Sequence, residues 1–256
     1  MSSSEGSPRS DEATAADAAA ASAVPGPSWV VITPLLPWLV MLPGGRWLFP
    51  LAAPLTIYPA FAQRVREGRY AAAWALGMVW AALLSLGVIW LVHVRPGGAE
   101  QGILHGSEYR REMFDWILTG AGQETTPSRF LPEHLVHLAA FLLLTLASGG
   151  YVGLVLGALL MAYMSYFVGQ FGLSSSHPVA GSLAAWVPWS VIRVMSFVLL
   201  GSLFARPLLL REPWPFGRRE HRLMALAAAG IAADLLLKTL LAPAYGHFLR
   251  HLLLQR

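Results

Sequence analysis

Long apolar runs separated by short polar segments make up most of this chain. A helix that crosses a bilayer needs about 20 apolar residues. Four runs reach or approach that length, and they cover 70–93, 151–170, 179–204 and 222–243. A fifth run, 134–148, is shorter and continues into the next through Ser148, Gly149 and Gly150. The pattern predicts five transmembrane helices, with a tight turn at Ser148–Gly150.

A proline-rich stretch, 29–62, precedes these runs. Its prolines are Pro34, Pro37, Pro43, Pro50 and Pro54, and Arg46 lies near its centre. Each half is short for a span, and irregular backbone at membrane depth persists only where protein covers it. We therefore predict an N-terminal hairpin or one broken helix that spans once, twice or is re-entrant. The predicted fold is an all-α integral membrane protein with five to seven spans and one polytopic membrane domain, 29–256.

Composition agrees with this class of protein. The chain is 55% hydrophobic and only 12% charged, and its mean hydropathy is +0.54, which is far more apolar than an average soluble domain. It has no cysteine, so disulfides and thiolate metal sites are excluded. Residues 1–28, rich in Ser, Ala, Pro and Gly, predict a disordered tail. The arginines lie in short loops and form no basic face, so no nucleic-acid partner is expected.

Arginine positions predict which loops face the cytoplasm. One loop contains Arg64, Arg66 and Arg69, and another contains Arg206, Arg211, Arg218, Arg219 and Arg222. The positive-inside rule places both loops in the cytoplasm, which leaves 94–133 and 171–178 outside. Among the 18 basic residues only Lys238 is a lysine, as expected from a GC-rich genome. We predict a multi-pass protein of a bacterial inner membrane.

The predicted outer loop, 94–133, contains an amphipathic segment. In "SEYRREMFDWIL", Tyr109, Met113, Trp116 and Ile117 form one apolar stripe at helical spacing. We predict a helix that lies in the membrane interface with its apolar face in the lipid. A second interpretation, a helix packed on the protein's own outer face, fits the stripe about equally well.

Glycines recur at every fourth residue, at Gly149, Gly153 and Gly157. Small residues at this spacing allow a second helix to approach closely. Gly149 belongs to the predicted turn. We therefore predict that Gly153 and Gly157 lie against a neighbouring helix.

The stretch "RFLPEHLVHLAAF", 129–141, contains candidate chemistry. In one interpretation His134 and His137 bind a metal or act as acid and base with Glu133, and Glu124 supplies a third ligand or a base. In the other, Pro132 and Glu133 begin a helix and the histidines lie at the membrane surface. We favour the second, because EHxxH is neither the HExxH motif of zinc proteases nor its inverse. No metal site is assigned.

Two short stretches resemble motifs of intramembrane proteases. "FLPEH", 130–134, resembles the FxxxH element of glutamate-type intramembrane endopeptidases, whose paired-glutamate element is absent here. "FGLSSSHP", 171–178, resembles the GxSG stretch of rhomboid proteases and marks Ser174 as a candidate nucleophile. Ser175 replaces the second glycine of that stretch, and no later helix offers a histidine at the depth of Ser174. These resemblances cover few residues, so no family is assigned.

Three charged residues, Arg193, Asp234 and Lys238, lie inside the predicted spans. Ionisable residues at such depth are rare and usually face the interior of the bundle. Asp234 and Lys238 have the spacing of the retinal-lysine helix of microbial rhodopsins, and an i,i+4 ion pair explains that spacing as well. The cluster indicates either an ion or proton path or a structural contact between two helices.

The leading hypothesis is a non-catalytic membrane component that binds partner subunits or lipid. It rests on the glycine spacing and the amphipathic segment, which are packing features, and on the lack of a complete catalytic set. The alternatives are an intramembrane hydrolase that depends on a metal, a glutamate or a serine, and a small ion- or proton-coupled transporter. The expected partners are the bilayer and other membrane proteins, and no cofactor is expected.

Overall fold

The computed structural model describes residues 28–255, and this part of the chain is helical without strands. The predicted disordered tail lies outside the described residues, apart from Ser28. The helices in chain order are α1 (Ser28–Met41), α2 (Gly45–Ala52), α3 (Tyr58–Arg66), α4 (Tyr70–Val94), α5 (Pro96–Gly102), α6 (Gly106–Thr119), α7 (Pro127–Ser148), α8 (Tyr151–Ser174), α9 (Pro178–Ala185), α10 (Pro188–Leu210) and α11 (Arg218–Leu254). Helix α1 is a 3-10 helix from Thr33 onward, and further short 3-10 turns are Ala53–Thr56 and Gln123–Thr125.

Five helices within 28–255, namely α4, α7, α8, α10 and α11, are long and apolar enough to cross a membrane. This confirms the predicted helical class and the five apolar helices. Several boundaries differ from the prediction, and α11 ends at Leu254, eleven residues beyond the predicted run. Helix α7 begins at Pro127, seven residues before the predicted run. The run 179–204 is divided, because Pro188 holds the preceding Val187 in an extended conformation (φ −65°, ψ 132°) and a new helix begins there.

The proline-rich stretch forms the hairpin alternative. Its two arms are antiparallel, since the Thr33 hydroxyl lies 3.3 Å from that of Thr56 and the turn at Leu42–Gly44 joins them. Protein covers the irregular backbone, because the Trp80 indole donates a hydrogen bond to the carbonyl of Ala53 (3.2 Å). The irregular backbone of this stretch is thus partly satisfied by a neighbouring helix.

The turns between helices gather at two ends of the bundle. The arginine end contains the turn after α3, the turn at Gly149 and the segment between α10 and α11. These segments lie together, since Gly149 is beside Leu209 of α10 and Tyr58 of α3. The loop end contains 95–126, 175–177 and the end of α11, whose Arg250 donates a hydrogen bond to the carbonyl of Ile117 (2.7 Å). Arg46 also lies at the loop end, where it donates to the carbonyl of Gln101. The end that faces the cytoplasm stays a prediction.

The amphipathic helix α6 packs on the protein. Met113, Trp116 and Ile117 are each at most 2% exposed, and they contact α8 and α11. The Trp116 ring lies 6.5 Å from that of Trp189 and directly against Gly246. The second of the two interpretations therefore holds, because the apolar stripe that an interfacial helix would insert into lipid is already covered by the bundle.

The two glycines of α8 have different surroundings. A Cβ at Gly153 would overlap the Thr145 side chain of α7, so Gly153 does lie in a helix–helix contact. A Cβ at Gly157 would have no atom of residues 28–255 within 4 Å. The contact predicted at Gly157 is therefore absent, because a cavity separates it from the neighbouring helices.

Candidate functional site

A cluster of buried charges lies on the loop-end half of the bundle. Arg193 of α10 donates two hydrogen bonds to Asp234 of α11, from Nε to Oδ2 (2.9 Å) and from Nη2 to Oδ1 (3.1 Å). The Asp234 side chain is 0% exposed and that of Arg193 is 21% exposed. Bidentate pairing of this kind is the strongest geometry for an arginine and a carboxylate. It joins α10 to α11, as the structural interpretation of these charges predicts.

Lys238 has a partner that its helix does not supply. Its Nζ lies 2.8 Å from Oε1 of Glu124, in the 3-10 turn before α7. The same ammonium lies 4.5 Å from the centre of the Phe130 ring, which adds a cation–π contact. The i,i+4 pair between Asp234 and Lys238 is not formed, because each residue has a closer partner on another element. Glu124, considered above as a ligand or base, is therefore a counter-ion in this structure.

His134 and His137 lie inside α7, which corrects the predicted helix start. Because α7 begins at Pro127, Pro132 is in its second turn. Both histidine side chains are partly buried. Both ring nitrogens of His134 are buried, and within residues 28–255 the ring has only a weak hydrogen bond, to the backbone of Phe130. Unpaired buried polar atoms are costly and call for an explanation. His134 is therefore a side chain whose ring nitrogens are open to hydrogen bonds from a ligand.

Two further carboxylates, Glu112 and Glu133, lie at the mouth of the cluster. Both are exposed, and neither has an ion-pair partner among the described residues. Partial burial and the neighbouring carboxylates Glu133, Glu108 and Glu124 raise the pKa of Glu112. The mouth therefore has a surplus of negative charge, whereas the interior charges compensate one another in pairs.

A polar cavity and an apolar cavity meet at this cluster. The polar one has a volume of about 40 Å³ and extends to Glu112, Glu124, Glu133 and Lys238. The apolar one has a volume of about 80 Å³ and runs between α7, α8 and α10. The side chains that line both are His134, His137, Tyr163, Met164 and Arg193.

The apolar cavity extends along α8 from the cluster to Gly150 at the arginine end. At 1.5 Å per residue, the distance from Met164 to Gly150 is about 20 Å. One leaflet of the hydrocarbon core is about 15 Å thick. The cavity is therefore long and narrow, with a polar group of side chains at one end.

The remaining candidates do not form a catalytic group. Ser174 lines neither cavity, and its hydroxyl donates to the carbonyl of Gln170 (2.9 Å). Within 28–255 no set of three or more His, Asp or Glu side chains is arranged to hold a metal ion. His134 and His137 consequently have no third ligand in this part of the chain.

Three residues of the site were not predicted from the sequence as site residues, namely Tyr109, Glu112 and Tyr163. Tyr109 and Tyr163 pack with ring centres 4.8 Å apart, and both line the polar cavity beside Glu112. Burial, and then the charge of Glu124, raises the pKa of Tyr109 well above its ordinary value. The available signals were a tyrosine inside an apolar helix and a glutamate on the polar side of α6, and neither points to a shared cavity.

No protein-family model, curated protein or solved structure matches this chain. The five apolar helices are compatible with a polytopic membrane protein.

The raised pKa of Glu112 gives a pH-dependent expectation. A raised pKa means that the folded protein holds the proton more tightly, so ionisation above the ordinary glutamate pKa of about 4.3 costs stability. Glu112→Gln should therefore raise the melting temperature at neutral pH, and the gain should vanish below that pKa. Because water screens this exposed side chain, the gain should stay within about 0.5 kcal/mol. Thermal unfolding in detergent at several pH values measures it.

Asp115→Asn is the matched control, since Asp115 lies on the same helix and lines neither cavity. It should produce a smaller change with less dependence on pH. A loss of stability in Glu112→Gln at neutral pH would show instead that the carboxylate has a stabilising cationic partner.

Proposed function

We propose that this chain is a non-catalytic polytopic protein of a bacterial inner membrane and that it binds a lipid. The observation that carries the proposal is that the two cavities adjoin each other, with His134, Tyr163 and Arg193 lining both. A lipid has the same two parts, a polar head joined to an apolar chain. The head would occupy the polar cavity, and the chain would run along α8 toward the arginine end.

The packing of α7 supports entry from the side. Only 17% of its most apolar 18-residue stretch is buried, and Leu143, beside the cavity-lining Phe141, is 67% exposed. A helix with so few contacts can move away from its neighbours at low cost. The narrow cavity fits one acyl chain of a phospholipid better than a bulky ring system.

The charges favour binding over the two alternative functions. A hydrolase requires a nucleophile or activated water with a base in reach, whereas Ser174 and the histidines do not meet. A proton or ion path requires titrating groups that exchange partners, whereas Arg193 and Lys238 are each paired with a carboxylate. Cations that are each neutralised by a carboxylate are expected where charged side chains form the rigid, polar end of a binding cavity.

The test is to fill the cavity at Gly157. A Cβ atom added at Gly157 has no atom of the described residues within 4 Å. Leucine is also a better helix former than glycine by about 1 kcal/mol. Gly157→Leu should therefore fold and lose copurified phospholipid at least tenfold, as measured by native mass spectrometry and by extraction of the protein in detergent.

Gly97→Leu is the control for this experiment. Gly97 in α5 also has no atom near an added Cβ, and it lines neither cavity. It should retain the lipid of the unchanged protein. Equal lipid content in the two variants, or none in the unchanged protein, would contradict the proposal.

A further inference from the structure

The charges of the site follow an order from the interior outward, and this order points to one class of headgroup. The cations, Arg193 and Lys238, lie on the long helices α10 and α11. The unpaired carboxylates are Glu112, on the loop-end helix α6, and Glu133, one turn nearer the loop end than His137. A ligand that enters from the apolar cavity meets Arg193 first and the two carboxylates afterward.

The interior part offers hydrogen-bond donors that residues 28–255 leave largely unused. A guanidinium has five N–H groups, and Arg193 uses one from Nε and one from Nη2 for Asp234. His134 has only a weak hydrogen bond, to the backbone of Phe130, within the described chain, and one of its ring nitrogens bears a proton even in neutral imidazole. These donors lie where the two cavities meet, and a phosphate group is an acceptor that matches them.

The mouth has the opposite character. Glu112 and Glu133 accept hydrogen bonds only, and no cation among residues 28–255 pairs with them. A headgroup with net negative charge would be repelled there, and a neutral one would leave both carboxylates uncompensated. A protonated amine would compensate them.

We infer that the lipid bound by this protein has a zwitterionic headgroup, with its phosphate at Arg193 and His134 and its primary amine at Glu112 and Glu133. This inference rests on the proposed lipid-binding function. In such a lipid the phosphate lies between the chains and the amine, which is the order of the complementary charges in the site. The donors of the interior and the carboxylates of the mouth are then satisfied by one molecule.

The experiment compares two lipids with identical acyl chains, phosphatidylethanolamine and phosphatidylglycerol, added to the full chain in detergent and titrated by native mass spectrometry. The unchanged protein should bind phosphatidylethanolamine at least tenfold more tightly. The double variant Glu112→Gln with Glu133→Gln should lose that preference, mainly through weaker binding of phosphatidylethanolamine. The double variant Glu108→Gln with Asp115→Asn removes the same charge outside both cavities, and it should keep the preference.

The outcomes separate the inference from the function on which it rests. If both lipids bind equally and Gly157→Leu weakens both, lipid binding holds and the headgroup assignment is overturned. Tighter binding of phosphatidylglycerol would overturn it as well. If neither lipid binds, the proposed function and the inference fail together.

Discussion

Asp234→Asn is expected to lower the free energy of unfolding by about 3–5 kcal/mol, because it leaves Arg193 without its counter-ion in a low-dielectric interior. The asparagine has nearly the same shape, so the loss reflects charge and hydrogen bonding more than packing. Both hydrogen bonds from Arg193 to the carboxylate are short and well formed. Chemical unfolding in detergent, followed by tryptophan fluorescence, measures the change.

A double variant distinguishes a coupled pair from two independent residues. Arg193→Met with Asp234→Leu replaces both charges by apolar side chains and should cost less than Asp234→Asn alone, because no uncompensated charge remains. Asp234→Asn with Lys238→Met should show no such recovery, since Lys238 pairs with Glu124. Recovery in the second double variant and not in the first would mean that Lys238 is the true partner of Asp234.

The apolar helices were predictable because the requirement that produces them is local in sequence. A bilayer-spanning helix satisfies its own backbone and needs a continuous apolar run, so α4, α8 and α11 could be recognised without knowledge of their neighbours. Helix ends depend on single residues. The predicted start at Pro132 was wrong because Pro127 begins the same helix one turn and a half earlier, and proline fits the first turn of either start.

The partners of the charged residues could not be predicted, because they depend on contacts between distant segments. Glu124 and Lys238 are 114 residues apart in sequence, and no local rule relates them. The i,i+4 rule proposed Asp234 for Lys238 and failed, since helical spacing identifies residues that can meet but not the closer partner supplied by a loop.

The surroundings of α6 and Gly157 were ambiguous for a similar reason. An apolar stripe such as that of Trp116 is equally suited to lipid and to protein, and only the positions of α8 and α11 decide between them. A small residue likewise permits close approach of a helix without requiring it. Gly153 contacts α7 and Gly157 faces the cavity, although both have the same spacing on one helix.

Glu124→Gln is expected to have the second large effect, a loss of about 3–5 kcal/mol together with release of the loop before α7. Lys238 is 1% exposed and lies within α11, so its ammonium would remain buried beside the Phe130 ring without the carboxylate that pairs with it. The pair also holds the 3-10 turn Gln123–Thr125 against α11. Hydrogen exchange of the backbone should therefore become faster over 120–126 than over α6.

Lys238→Met should be milder than Glu124→Gln, because the two partners differ in their access to water. Methionine keeps an unbranched apolar stem and a favourable sulfur contact with Phe130, while the freed Glu124 carboxylate lies in a loop that can turn toward solvent. The double variant should then resemble Lys238→Met alone. If Glu124→Gln and Lys238→Met cost the same and the double variant costs their sum, the two residues act independently and the loop is held by other contacts.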